Sequence, residues 1–362
     1  MSGLDRLLEL PRLPRAGSKV GFLGHHASLT RDGIHAIDQL LKRSEWDIVR
    51  LFSPEHGFFG TSAAGEPVAN SLHPVWGLPV HSLYGEHRSP LPEWLTGLDL
   101  MVIDLQDLGV RCYTYASTLL LMMRACARAG VSVIVLDRST PLAGIVDGPE
   151  LDPACQSFVG MIDLPLVFGL GQGDLAHFLN MHDSECRKLD VQIFRDSETT
   201  ASEAEWVPPS PAIVSPLSAQ LYPVTVWCEA IPEVDVNRGG PTSFMEWTMP
   251  DFPPALLDAP PSFTGMIGEP VERHIELKAW RGLQFRITHL REYRPLQNAL
   301  ILLCALRDHL GAERLFDNHG ARPEFFDKLM GGSSVRHQLQ KGESAETICR
   351  KWRTSLPTTK SQ

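Results

Sequence analysis

Glu55 and His56 stand side by side in Phe52-Ser53-Pro54-Glu55-His56-Gly57, directly after the apolar run Ile48-Val49-Arg50-Leu51-Phe52. A carboxylic acid next to an imidazole is equipment for moving a proton. The apolar run predicts a short β-strand, Pro54 stops it by withholding a backbone donor, and Gly57 lets the chain turn sharply. In an open α/β sheet, the space past a strand's carboxyl end is where ligands bind. The plain alternative is a surface loop with two polar residues. Further on, Ala64-Gly65-Glu66 offers a second carboxylate. Two carboxylates flanking a glycosidic bond serve glycoside hydrolysis, one as proton donor and one as base or nucleophile. A solvated mid-loop glutamate is the competing reading of Glu66.

The elements that must position these groups follow from the pattern around them. Lys19–Gly24, Ile48–Phe52, Leu98–Leu105, Val131–Asp137 and Leu189–Phe194 read as strands, with a weaker, peripheral one over Leu78–Tyr84. Helices are predicted over Gly33–Lys42 behind the cap Asp32, over Ser117–Ala129 closed by Gly130, and over Gln172–His182. This alternation predicts an α/β domain with a Rossmann-like parallel sheet. No GxGxxG follows the first strand, so a dinucleotide site is not expected.

Polar residues recur after four successive strands: His25 and His26, then Glu55 and His56, then the run Gln106 to Tyr115, then Arg138 beside Asp137. In a parallel sheet these strand ends share one edge, so the groups converge. Each also has a structural reading. Asp104 can bond a backbone amide or cap a loop. Asp107 and Arg111 can pair to order their loop. Tyr113 and Tyr115 can pack in the core or stack on a sugar ring, and lone histidines are usually structural.

The whole chain sets outer bounds. Its 362 residues suggest two domains, with 43% hydrophobic and 21% charged residues as in ordinary globular proteins. A net charge of −10 argues against nucleic acid as partner. No apolar run reaches membrane-span length, and the N-terminus has no basic region followed by an apolar stretch. The seven cysteines form no CxxC pair and read as reduced, small hydrophobes, so a cytoplasmic location without structural zinc is expected. Residues 197–220 are rich in Ser, Glu, Ala and Pro and mark a boundary. The expected domains are 1–200, Rossmann-like, and 201–362, a smaller α+β domain with a strand over Trp280–Thr288 and helices over Leu296–Leu310 and Ala345–Trp352.

In order, Ser53-Pro54-Glu55-His56-Gly57, Ala64-Gly65-Glu66, Gly77-Leu78-Pro79-Val80, Ser82-Leu83-Tyr84-Gly85, Asp104 to Arg111, Tyr113-Thr114-Tyr115 and Asp137-Arg138 resemble the exo-β-N-acetylmuramidase family, a bacterial glycoside hydrolase group formerly a domain of unknown function. The likeness is dense over 18–175 and thinner through Trp206–Pro211, Leu221-Tyr222-Pro223, Glu229, Asn237-Arg238-Gly239, Arg336 and Trp352. It implies a Rossmann-like domain joined to a smaller one with the active site in the cleft between them, acting without metal or cofactor. The implied reaction removes terminal β-linked N-acetylmuramic acid from the non-reducing end of peptidoglycan fragments, as in cell-wall recycling. Glu55 would be the general acid, with a raised pKa, and Glu66 or His56 its base or orienting partner. Arg111 or Arg238 would hold the lactyl carboxylate. His25, His26, Tyr84, Asp104, Gln106, Asp107, Tyr113, Tyr115, Arg138, Glu229 and Asn237 complete the implied substrate-binding set.

The sequence departs from the family pattern at His25-His26, Ser139-Thr140, Val167-Phe168, Ala212 and Ala230–Glu233. There amide and basic groups common in the family are replaced. A non-catalytic sugar-binding homologue is therefore the alternative to an active glycosidase.

Overall fold

A computed structural model of the chain describes residues 1–196, 206–317 and 320–356. They fall into two compact units. The first comprises Met1–Gly109, Tyr113–Ala143 and Leu170–Pro211; the second comprises Val110–Cys112, Gly144–Gly169 and the chain from Ala212 onward. The boundary expected between 200 and 201 lies outside the described residues.

The first unit is built on a seven-stranded sheet: β1 (Ser18–Gly24), β2 (Trp46–Ser53), β3 (Ser71–Leu72), β4 (Pro79–Ser82), β5 (Leu100–Asp104), β6 (Ser132–Leu136) and β7 (Val191–Phe194). Its order is β3-β4-β2-β1-β5-β6-β7, parallel except for the short β3. The chain first winds from β1 outward to β2 and β4, then returns to the other flank of β1 with β5, β6 and β7. The winding direction therefore reverses between β1 and β5, whose carboxyl ends frame the crevice where such sheets bind ligands. All of β5 is buried, which is why it reads as an unbroken apolar run ended by Asp104. Val20, Phe22, Ile48, Leu51, Leu100, Val102, Ile134 and Leu136 form one continuous core with Leu4 and Leu7 of a short N-terminal helix, Gly3–Leu8.

Helix Gln172–His182 matches its predicted span, and helix Tyr115–Ala129 begins two residues before the predicted Ser117, with Gly130 closing it in the left-handed conformation. The helix expected over Gly33–Lys42 is shorter, Ala36–Leu40. Gly33 turns with φ +75° and Leu29 bridges His35 across that turn, so the helix starts only after it. His35, not Asp32, caps the helix, its Nδ1 accepting from Ile37 N–H at 3.3 Å.

The second unit carries an antiparallel sheet, β8 (Glu246–Met249), β9 (Met266–Ile275) and β10 (Lys278–Ile287), in the order β8-β10-β9. Helix Pro295–Leu310 is its longest helix, and the final helix is shorter than expected, Ala345–Cys349. Among the described residues, no helix is long and apolar enough to cross a membrane.

Candidate active site

Glu55 lies two residues past β2, and its side chain is only 7% exposed. Its Oε1 accepts the Gly65 N–H at 2.9 Å, and its Oε2 meets the Thr114 hydroxyl at 2.6 Å. Tyr84 adds its hydroxyl to the same carboxyl, with the Arg88 guanidinium 3.7 Å above the tyrosine ring. Burial, then the neighbouring Glu55, pushes the Tyr84 phenol upward, which keeps it a donor. The Thr114 hydroxyl can donate to an ionised Oε2 or accept from a protonated one, so that contact survives a proton transfer.

His56 is buried with φ +71°, an uncommon conformation for a side-chain-bearing residue. Its Nδ1 donates to the Ser62 carbonyl at 2.8 Å, leaving Nε2 as the acceptor in the neutral ring. Glu66 is exposed, and its Oε2 accepts its own loop's Ala63 N–H at 3.2 Å. The solvated reading of Glu66 fits this contact.

At the β1 end, His25 is fully buried and its Nε2 accepts the Gln106 N–H at 3.1 Å, tying the ends of β1 and β5 together. Burial, then His26 and Arg138, drives its pKa well down, so it is a neutral acceptor. His26 Nε2 donates to the Pro208 carbonyl at 2.7 Å. A Cβ on Gly60 would fall 1.9 Å from His26 Nδ1, so glycine is required there on steric grounds as well as by its φ of +68°.

Asp104 is fully buried and paired with Arg138, whose Nη2 reaches Oδ2 at 2.8 Å and the Leu29 carbonyl at 2.9 Å. This bidentate pair is stronger than the single backbone bond expected of Asp104. Gln106 gives its side-chain amide to the Ser139 carbonyl at 2.9 Å. Asp107, 3% exposed, accepts Leu108 N–H at 2.6 Å and the Gln172 amide at 2.7 Å. Tyr115 is fully buried and donates to the Pro209 carbonyl at 2.9 Å, with Tyr113 edge-on to it at 4.9 Å. Burial raises both phenols strongly, so both stay protonated. Tyr115 follows the core-packing reading.

In the second unit, Arg111 is 1% exposed and donates to the carbonyls of Pro149 at 3.0 Å, Leu164 at 2.6 Å and Met330 at 2.8 Å. Burial lowers its pKa to about 10. A Cβ on Gly331 would meet Nη2 at 2.0 Å. Its two Nη atoms are thus given to main-chain carbonyls and not to Asp107, while its buried Nε has no partner among the described residues. Arg238 keeps its side chain 37% exposed, paired with Glu229. Asn237 accepts from Arg273 at 2.8 Å and donates to Thr242 at 2.6 Å, which fixes its strained turn at φ +54°.

Among the described residues, no group of three or more His, Cys, Asp or Glu is arranged to hold a metal ion. The first unit therefore gathers Glu55, Tyr84, Thr114, Tyr113, Tyr115, Asp107 and His25 at the carboxyl edge of one parallel sheet. The family description "Exo-beta-N-acetylmuramidase NamZ, N-terminal" matches residues 20–216, and its C-terminal counterpart matches 220–360. The chain belongs to the NamZ exo-β-N-acetylmuramidase family.

The Peptidoglycan beta-N-acetylmuramidase NamZ of Bacillus subtilis (strain 168) is 28% identical over 98% of this chain and 88% of its own length. Two crystal structures of DUF1343 family proteins from Bacteroides fragilis NCTC 9343 are also similar, each at 25% identity. One has a TM-score of 0.82, covering 93% of this chain and 90% of its own; the other has 0.75, covering 98% and 94%.

Within this NamZ-family sheet, sequence reasoning passed over Gly65, Thr114 and Gln172. Gly65 and Thr114 lie inside motifs already singled out, Ala64-Gly65-Glu66 and Tyr113-Thr114-Tyr115. Gln172 carried no signal beyond its place at the start of a helix.

Proposed function

We propose that this chain hydrolyses the terminal β-linked N-acetylmuramic acid of peptidoglycan fragments, with Glu55 as the proton donor. Supporting this is the setting of Glu55: a carboxyl almost closed off from water, past a strand end, gripped by Gly65, Thr114 and Tyr84. Glu55 gives its proton to the departing glycosidic oxygen as the bond to the anomeric carbon lengthens. The sugar gains oxocarbenium character, and water completes the product. Family membership supplies the reaction class, and the B. subtilis relative's name supplies the sugar.

The test is hydrolysis of a β-N-acetylmuraminyl-N-acetylglucosamine disaccharide. Glu55→Gln should lower kcat by roughly 10²-fold or more, the scale of general-acid loss. The loss should be smaller with a p-nitrophenyl aglycone, which departs without help. An unchanged rate on the disaccharide removes Glu55 from the mechanism.

A non-catalytic sugar-binding homologue is the second reading, favoured by the substituted positions. Thr140 keeps a buried hydroxyl without a partner among the described residues, and Val167 and Phe168 are fully buried. Measurable binding of N-acetylmuramic acid with no turnover of either substrate would select it.

A further inference from the structure

We propose that Asp107, held by Gln172, is the second carboxyl of this site and takes the proton from the attacking water. The inference rests on the hydrolase reading above and assigns its missing base. Water attacks the anomeric carbon, Asp107 takes a water proton, Glu55 gives its proton to the leaving oxygen, and the glycosidic bond breaks. One water is consumed, and the two carboxyls exchange protonation states.

The first support is position. Asp107 follows β5, one of the two strands where the winding reverses, and Glu55 follows β2, with β1 between them. Two strand spacings set those strands roughly 10 Å apart, farther than the roughly 5–5.5 Å between the carboxyls of a retaining pair and close to the roughly 6.5–9.5 Å that leaves room for a water between acid and base. The Tyr113 and Tyr115 hydroxyls feel the charge of both carboxyls, so both acids lie within electrostatic reach of the same two phenols.

The second support is what surrounds the group. Asp107 receives the main-chain N–H groups of Leu108 and Gly109 and the side-chain amide of Gln172, from the start of the helix Gln172–His182. Among the described residues no cation pairs with it. A buried carboxyl without a counter-charge is costly to keep ionised and is a mark of functional sites. Burial pushes its pKa up to about 7, so both protonation states are reachable near neutrality.

The third is Gln172 itself, 1% exposed, whose Oε1 has no partner among the described residues. A buried acceptor without a donor is rare. A sugar hydroxyl, an acetamido N–H or the attacking water has the donor it lacks. Glu66, the other carboxyl near Glu55, is turned to its own loop.

The experiment follows hydrolysis of p-nitrophenyl β-N-acetylmuraminide by wild type, Asp107→Asn and Asp107→Ala, with thermal unfolding of each. Asp107→Asn should fold, because a turned Gln172 can accept from the new amide through its Oε1. It should cut kcat by at least about 10²-fold with little change in KM, and remove the acid limb of the pH profile near 7. Azide should restore Asp107→Ala, forming the α-glycosyl azide, and wild type should release the α-anomer first. Gln172→Ala, testing a positioning residue, should move the acid limb more than it moves KM. Turnover by Asp107→Asn close to wild type, a β-azide product, or release of the β-anomer would each overturn the assignment alone. No turnover by wild type on any substrate would end the hydrolase reading and this assignment together.

Discussion

Asp104 and Asp107 stand at the same end of β5, yet one carries a full counter-charge and the other has none among the described residues. Asp104 is sealed in, and Arg138 meets it through two N–H groups while also bonding the Leu29 carbonyl. Asp107 has only neutral donors, and burial lifts its pKa to about 7. A buried charge with a matched partner is architecture: it joins β5, the segment after β6 and the loop after β1. A buried acid without one keeps its proton exchangeable. Position at a strand end selects both; only the partner separates them.

The contrast can be broken first at Arg138. Arg138→Ala strands a carboxylate in the core and should cost about 3–5 kcal/mol, read by denaturant unfolding. A loss below about 1 kcal/mol would make the two aspartates alike.

Asp107 should respond with the opposite sign. Its folded pKa of about 7 lies above the roughly 3.9 of an unfolded aspartate. Between those values the folded state holds the extra proton, so stability falls as pH rises through that window. Asp107→Asn should therefore stabilise by up to about 4 kcal/mol at pH 8 and by little near pH 4. Equal effects at both pH values would mean that the carboxyl is compensated after all.

A smaller effect is expected at Thr114. Thr114→Val keeps the shape but removes one of the contacts on Glu55, and should lower kcat roughly tenfold while stability moves by about 1 kcal/mol. Smallest of all, Glu66→Ala should change stability by less than about 0.5 kcal/mol and leave kcat within about twofold. A large drop there would return Glu66 to the chemistry.

The parallel sheet was legible because β1, β2, β5 and β6 are apolar runs that each end in a polar cluster, and that pattern also brought out Glu55 and Asp107. Partners were not legible. Arg138 reaches Asp104, and Gln172 reaches Asp107, through folding across other elements, and nothing local marks either pair. The hairpin of β9 and β10 was half seen, as a strand near 280. Its turn uses Glu276 and Leu277 at φ +48° and +65°, so the Asn-Gly signal that normally marks such a turn is missing. β9 is mostly exposed or half-buried, which weakened its alternation.

The second unit's debt to three separate stretches of chain has a practical side. A gene fragment opening at Ala212 would leave out Val110–Cys112 and Gly144–Gly169. It would leave the Met330 carbonyl without the Arg111 guanidinium that meets it. Cloning the C-terminal portion by itself should yield aggregation-prone material, and swapping halves between relatives at that point would split one folded body across two parents.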